Sequence, residues 1–110
     1  MRSRESGDAA FLDDVREACA TIVARLEHRR FPDLVENAEF QDGIVLQLLH
    51  AGEAAAHLTE KTRRRYPDAP WKEMIGLRNI LAHKYWSTDL MKIWEIASED
   101  VPALLQMLLP

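Results

Sequence analysis

The chain has 110 residues, a formal charge of −4 and one cysteine. Its length is that of a single domain, and 47% hydrophobic with 29% charged residues is globular composition that excludes general disorder. Cys19, standing alone, excludes a disulfide framework or a cysteine-rich zinc module and suits a reducing compartment.

No apolar run approaches the ~18–20 residues of a membrane span, and residues 1–20 hold no hydrophobic signal region. The expectation is a cytoplasmic protein with no membrane contact. Residues 1–7 are polar and read as a flexible lead-in, followed by one helical domain over 8–110. From Asp8, a candidate N-cap, Phe11, Leu12, Val15, Cys19, Ile22 and Leu26 recur at the 3–4 spacing of one helix face. The pattern fades near 28–30, and Phe31-Pro32-Asp33 marks a connection. A second, longer helix is expected over about 39–66, with Ile44, Val45, Leu48, Ala55 and Leu58 on its apolar side. Gly52 costs that helix about 1 kcal/mol against alanine, which suggests a close neighbour. A break at 67–70 leads to a third helix carrying Trp71, Met74, Ile75, Leu77 and Leu81. After 84–88, Ser87, Thr88 or Asp89 can cap a fourth helix, which Pro102 kinks or splits near 98–100. No strand alternation or internal repeat is present. The fold class is therefore all-α, an antiparallel bundle of four to five helices.

The most informative segment is Arg78-Asn79-Ile80-Leu81-Ala82-His83-Lys84-Tyr85. In a continuous helix Asn79 and His83 share a face one turn apart, and Arg78 and Tyr85 nearly eclipse. An arginine fork matches phosphate oxygens, and histidine can exchange a proton at cellular pH. The bland reading is a helix C-terminus whose cations complement the last carbonyls.

This chain resembles the HepT-like toxins of the HEPN superfamily of helical ribonuclease domains. Arg78, His83 and Tyr85 match the family's R-x4-6-H-x-Y motif. Gly52-Glu53-Ala54-Ala55 matches its G-E-A-A stretch, and Tyr66-Pro67-Asp68-Ala69-Pro70-Trp71 its approach to the motif helix. The resemblance implies an HEPN-like bundle acting as an endoribonuclease without metal or other cofactor. It assigns His83 as general acid or base, Arg78 to transition-state charge, and Asn79 to orienting the phosphate or His83; Glu53, in the G-E-A-A stretch, is expected to position Arg78 or Asn79 across the helix pair. It implies a homodimer through the motif helices, RNA as substrate, and an MntA-type nucleotidyltransferase antitoxin that transfers AMP to Tyr85. The alternative is a catalytically silent HEPN module that binds or regulates such a nucleotidyltransferase.

Two further clusters stand out. His50, Glu53 and His57 share a helix face and could hold a divalent metal, but no fourth ligand is evident and the expectation is none. Arg63, Arg64 and Arg65, like Lys84, are candidate RNA-phosphate contacts or else solvated helix-end cations. Glycine-rich phosphate loops and serine nucleophile motifs are absent. The overall acidity argues against nucleic acid, but it is unevenly spread. Residues 61–85 hold seven basic and two acidic groups, a net +5, so the remainder carries −9.

Overall fold

A computed structural model describes residues 4–83 and 89–109. The elements are α1 (Arg4–Leu26), α2 (Phe31–Glu36), α3 (Ala38–His57), α4 (Glu60–Arg64), α5 (Trp71–Leu81), α6 (Leu90–Glu95), a π-helical turn (Ile96–Asp100) and α7 (Val101–Leu108). No strand occurs among the described residues. The four long segments expected from periodicity form the bundle, with α2 and α4 as short helices at its ends. Among the described residues no helix is long and apolar enough to cross a membrane.

Helix α1 packs on α3 and on the α7 segment, and α3 packs on α5. Val15, Cys19 and Ile22 of α1, Ile44, Leu48 and Ala55 of α3, and Ala97, Leu104 and Leu108 near the C-terminus form the buried centre. Removal of these side chains from water is the main stabilising term. Burial pushes the Cys19 thiol pKa up to about 12, so it serves as a core side chain.

Three local expectations need correction. First, α1 begins at Arg4, so Asp8 lies inside the helix and does not cap it. The Asp8 side chain is buried and clamps the far end of α3. Its Oδ1 accepts from the Thr59 backbone N–H at 3.0 Å, and its Oδ2 accepts from the Thr62 hydroxyl at 2.6 Å and from the Thr59 hydroxyl. A buried carboxylate is tolerated because these donors replace its water.

Second, the long helix expected over 39–66 is two helices. Leu58 and Thr59 are extended, and Thr59 caps α4 by accepting from Thr62 N–H. Side-chain oxygens at Thr59 and Asp8 offer the backbone an alternative to continuing the helix. Third, Phe31-Pro32-Asp33 opens α2 instead of serving as a bare connection. Proline lies in the first turn, where its missing N–H costs nothing, and Asp33 Oδ2 accepts from Arg30 N–H at 2.8 Å.

The C-terminal segment is disturbed where Pro102 requires it. Lacking an N–H, Pro102 cannot complete the ladder, and 96–100 widen into a π turn before α7 resumes. Asp89 caps α6 by accepting from Lys92 N–H at 3.2 Å. Ser87 and Thr88, the other candidate caps, lie outside the described residues.

Candidate active site

Helices α3 and α5 meet at Gly52. A Cβ on Gly52 would lie 2.7 Å from Arg78 Cβ and 2.8 Å from the Met74 carbonyl oxygen. No real Cβ tolerates either distance, so glycine is what lets α5 lie this close. The approach sets Arg78 beside Glu53, the residue following Gly52. Arg78 Nη1 donates to Glu53 Oε2 at 3.0 Å. The opposite edge of the guanidinium faces its chain neighbour: Nε and Nη2 donate to Asn79 Oδ1 at 3.2 and 2.9 Å. With its stem against Gly52, the Arg78 side chain is 27% exposed.

The Arg78 guanidinium beside Glu53 holds its carboxyl below the usual carboxylate range, with His57 a second contributor. The carboxylate is therefore charged at neutral pH and remains so into mildly acidic solution. The pair is present above the ordinary carboxylate pKa and is lost only as pH falls through the lowered value.

Helix α5 ends at Leu81, two residues before His83. Its last turn tightens: Ala82 N–H donates to the Arg78 carbonyl at 3.0 Å and His83 N–H to the Ile80 carbonyl at 3.2 Å. His83 thus follows directly from the motif helix and is exposed, as is Asn79. The continuous helix that would eclipse Arg78 and Tyr85 does not extend through 82 and 83. Lys84, Tyr85 and Trp86 lie outside the described residues.

The basic cluster sits at the other end of α5. Trp71 Nε1, at the start of that helix, donates to the Arg63 carbonyl at 3.1 Å. The length of α5, roughly 16 Å for its eleven residues, separates the cluster from His83. Arg64 is paired with Glu60 at 3.3 Å, and the Arg65 guanidinium lies 5.7 Å from the Tyr66 ring centroid. Arg63 is half-buried, and its Nε has no hydrogen-bond partner among the described residues.

His50, Glu53 and His57 line an open groove of about 550 Å³ between α1 and α3. Among the described residues no three His, Cys, Asp or Glu side chains are arranged to hold a metal ion. His57 Nε2 instead lies 3.1 Å from Glu53 Oε1, and its ring stacks on Phe11 at 4.8 Å. The i, i+4 spacing of Glu53 and His57 was the signal for this pairing.

An all-α bundle that presents arginine, an amide and histidine at the end of one helix, with the arginine braced from the next, is of the class of small helical domains whose grouped side chains have the chemistry to donate to phosphate oxygens. The comparison with known proteins narrows that class. Residues 15–109 match the HepT-like ribonuclease family, and the chain belongs to that family. It is 35% identical over 95 residues to a Methanocaldococcus jannaschii protein named "Putative RNase MJ1380", covering 86% of this chain and 87% of that one. A second protein of that organism, named "Putative RNase MJ1216", is 30% identical over 86% of this chain and 78% of its own length. "Probable ribonuclease HepT" of Thermococcus cleftensis is 30% identical, with 86% of each chain covered. No solved structure matches the chain.

Proposed function

We propose that this protein is a metal-independent endoribonuclease, the toxin of a type VII-like toxin–antitoxin pair. A ribose 2′-OH attacks the adjacent phosphorus, the 5′-oxygen leaves, and the products carry a 2′,3′-cyclic phosphate and a 5′-OH. His83 exchanges the protons, and Arg78 stabilises the charge that gathers on the non-bridging oxygens. The carrying observation is the bracing of Arg78: Glu53 fixes one edge of the guanidinium, and Gly52 fixes its stem. Prepositioned charge of this kind lowers a barrier without reorganisation at the moment of reaction. The Nε/Nη2 edge, occupied by Asn79 Oδ1, is the fork that a phosphate oxygen would take over, leaving the Asn79 carboxamide free to orient the phosphate or His83.

One histidine cannot at the same instant accept the 2′ proton and protonate the 5′-oxygen. A homodimer through the motif helices supplies two. An apolar face left open among the described residues supports this arrangement: Ile80 is 58% exposed, and a groove of about 740 Å³ runs between α5 and α6 past Leu77, Ile93 and Ile96. Ile80→Asp is expected to yield a monomer by light scattering, still helical, with RNA cleavage reduced at least tenfold. A dimer of unchanged stability in that variant would place the interface elsewhere.

The antitoxin in this reading is an MntA-type nucleotidyltransferase that adenylylates Tyr85 in the cytoplasm. A bulky anion two residues from His83 would exclude RNA phosphate by charge and volume. Incubation with that enzyme and ATP is expected to add AMP mass to the protein and none to Tyr85→Phe. An adduct persisting on the phenylalanine variant would refute the assignment. The distant Arg63, Arg64 and Arg65 are proposed to contact RNA phosphates away from the cut, and Lys84, next to His83 in sequence, a phosphate beside it.

A further inference from the structure

Glu53 has two partners, and only one belongs to the arginine–histidine motif. Its Oε2 accepts from Arg78, while its Oε1 lies 3.1 Å from His57 Nε2, one turn further along α3. The Glu53 side chain is 57% exposed. An exposed carboxylate with a single cationic partner retains most of its rotamers, and such pairs contribute little on their own. A second donor on the other oxygen changes that, provided the donor is itself fixed. His57 meets the condition because its ring lies against Phe11 of α1, with centroids 4.8 Å apart and planes 16° from parallel. Stacking restricts the imidazole to one plane and directs Nε2 along α3 toward the carboxylate. Either the cation or the neutral Nε2–H tautomer can donate, so the bond does not require a charged ring.

From this geometry we propose that His57 is a positioning residue for Arg78, acting through Glu53. Phe11 fixes the His57 ring, His57 holds one carboxylate oxygen, and the other oxygen thereby stays on Arg78 Nη1. The phosphate-facing arginine at α5 is in this way braced from α1, two helices away. The proposal rests on Arg78 serving the ribonuclease site.

The test uses two variants of the full chain. His57→Phe keeps a flat ring on Phe11 and removes the donor; His57→Gln restores a donor without the ring. Three quantities are read on each: melting temperature, water exchange of the Arg78 Nε–H by nitrogen-15 NMR, and kcat and KM on a short RNA. His57→Phe is expected to melt with the parent, to exchange the Arg78 Nε–H severalfold faster, and to lose about tenfold in kcat with KM within twofold, as expected for a displaced catalytic group. His57→Gln is expected to recover most of both losses. An Arg78 signal that does not respond to His57→Phe overturns the proposal, whether or not RNA is cut. A loss that His57→Gln fails to repair also overturns it. If the parent cuts no RNA while the Arg78 signal responds and is rescued, the ribonuclease reading fails and the positioning role stands.

Discussion

Replacing His83 with alanine is expected to lower kcat for RNA cleavage by about 10²–10⁴-fold, the usual contribution of a positioned general acid or base. Arg78→Ala should cost about 10²–10³-fold, comparable with removing one preorganised donor from a charged transition state. Neither change should unfold the bundle. His83 lies exposed beyond the last turn of α5. Arg78→Ala keeps the Cβ that rests on Gly52 and removes only the partly exposed remainder of the side chain. Arg78→Lys separates charge from geometry. It retains a cation that can reach Glu53 but lacks the planar fork now closed on Asn79, so it should recover little activity. Far-ultraviolet circular dichroism and melting curves alongside single-turnover rates check both halves. Full cleavage by His83→Ala would remove that residue from the chemistry.

The second large effect belongs to a residue with no functional group. In an open helix, Gly52→Ala would stabilise by about 1 kcal/mol through backbone propensity. Here the added methyl meets Arg78 Cβ at 2.7 Å and the Met74 carbonyl oxygen at 2.8 Å, and neither can yield unless α5 moves. Overpacking of this sort costs about 1–3 kcal/mol, so the net change is a modest loss of stability. Activity should fall much further, by about 10²-fold, because a displacement near 1 Å at a catalytic group is enough for that. Gly52→Val puts two more methyls at the same crowded contact and should cost both more. The diagnostic result is a protein still folded at the assay temperature whose kcat has fallen while its RNA affinity is largely kept. A Gly52→Ala variant that melts higher and cuts as fast as the parent would show that the helices can separate without disturbing Arg78.

The bundle was legible because its long helices carry unbroken 3–4 apolar spacing: Val15, Cys19 and Ile22 on α1, Ile44 and Leu48 on α3 are buried as their spacing requires. The site was partly legible. The glycine in a helix interior pointed to a close neighbour, and the structure places α5 there. What the pattern could not show depended on partners distant in sequence. The break at Leu58 and Thr59 is stabilised by Asp8, fifty-one residues from Thr59, so local periodicity ran straight through it. The end of α5 before His83 had no proline or glycine to mark it. The placement of Arg63, Arg64 and Arg65 one helix length from His83 follows from α4 folding against the start of α5, whereas in sequence the cluster stands close to the motif. His57 was visible only as a possible ligand beside His50, because its true neighbour, Phe11, lies on another helix.

In the proposed reaction Arg78 and His83 promote attack by the RNA's own 2′-OH without a metal. The most direct measurement is the mass of the fragments produced from a defined RNA oligonucleotide by the purified protein in EDTA. The fragments are expected to end in a 2′,3′-cyclic phosphate, one water lighter than the linear phosphate, each paired with a fragment beginning in a 5′-OH. A 2′-deoxy substitution at the cut should abolish the product. Fragments bearing 3′-OH and 5′-phosphate ends, or cleavage that EDTA eliminates, would contradict it.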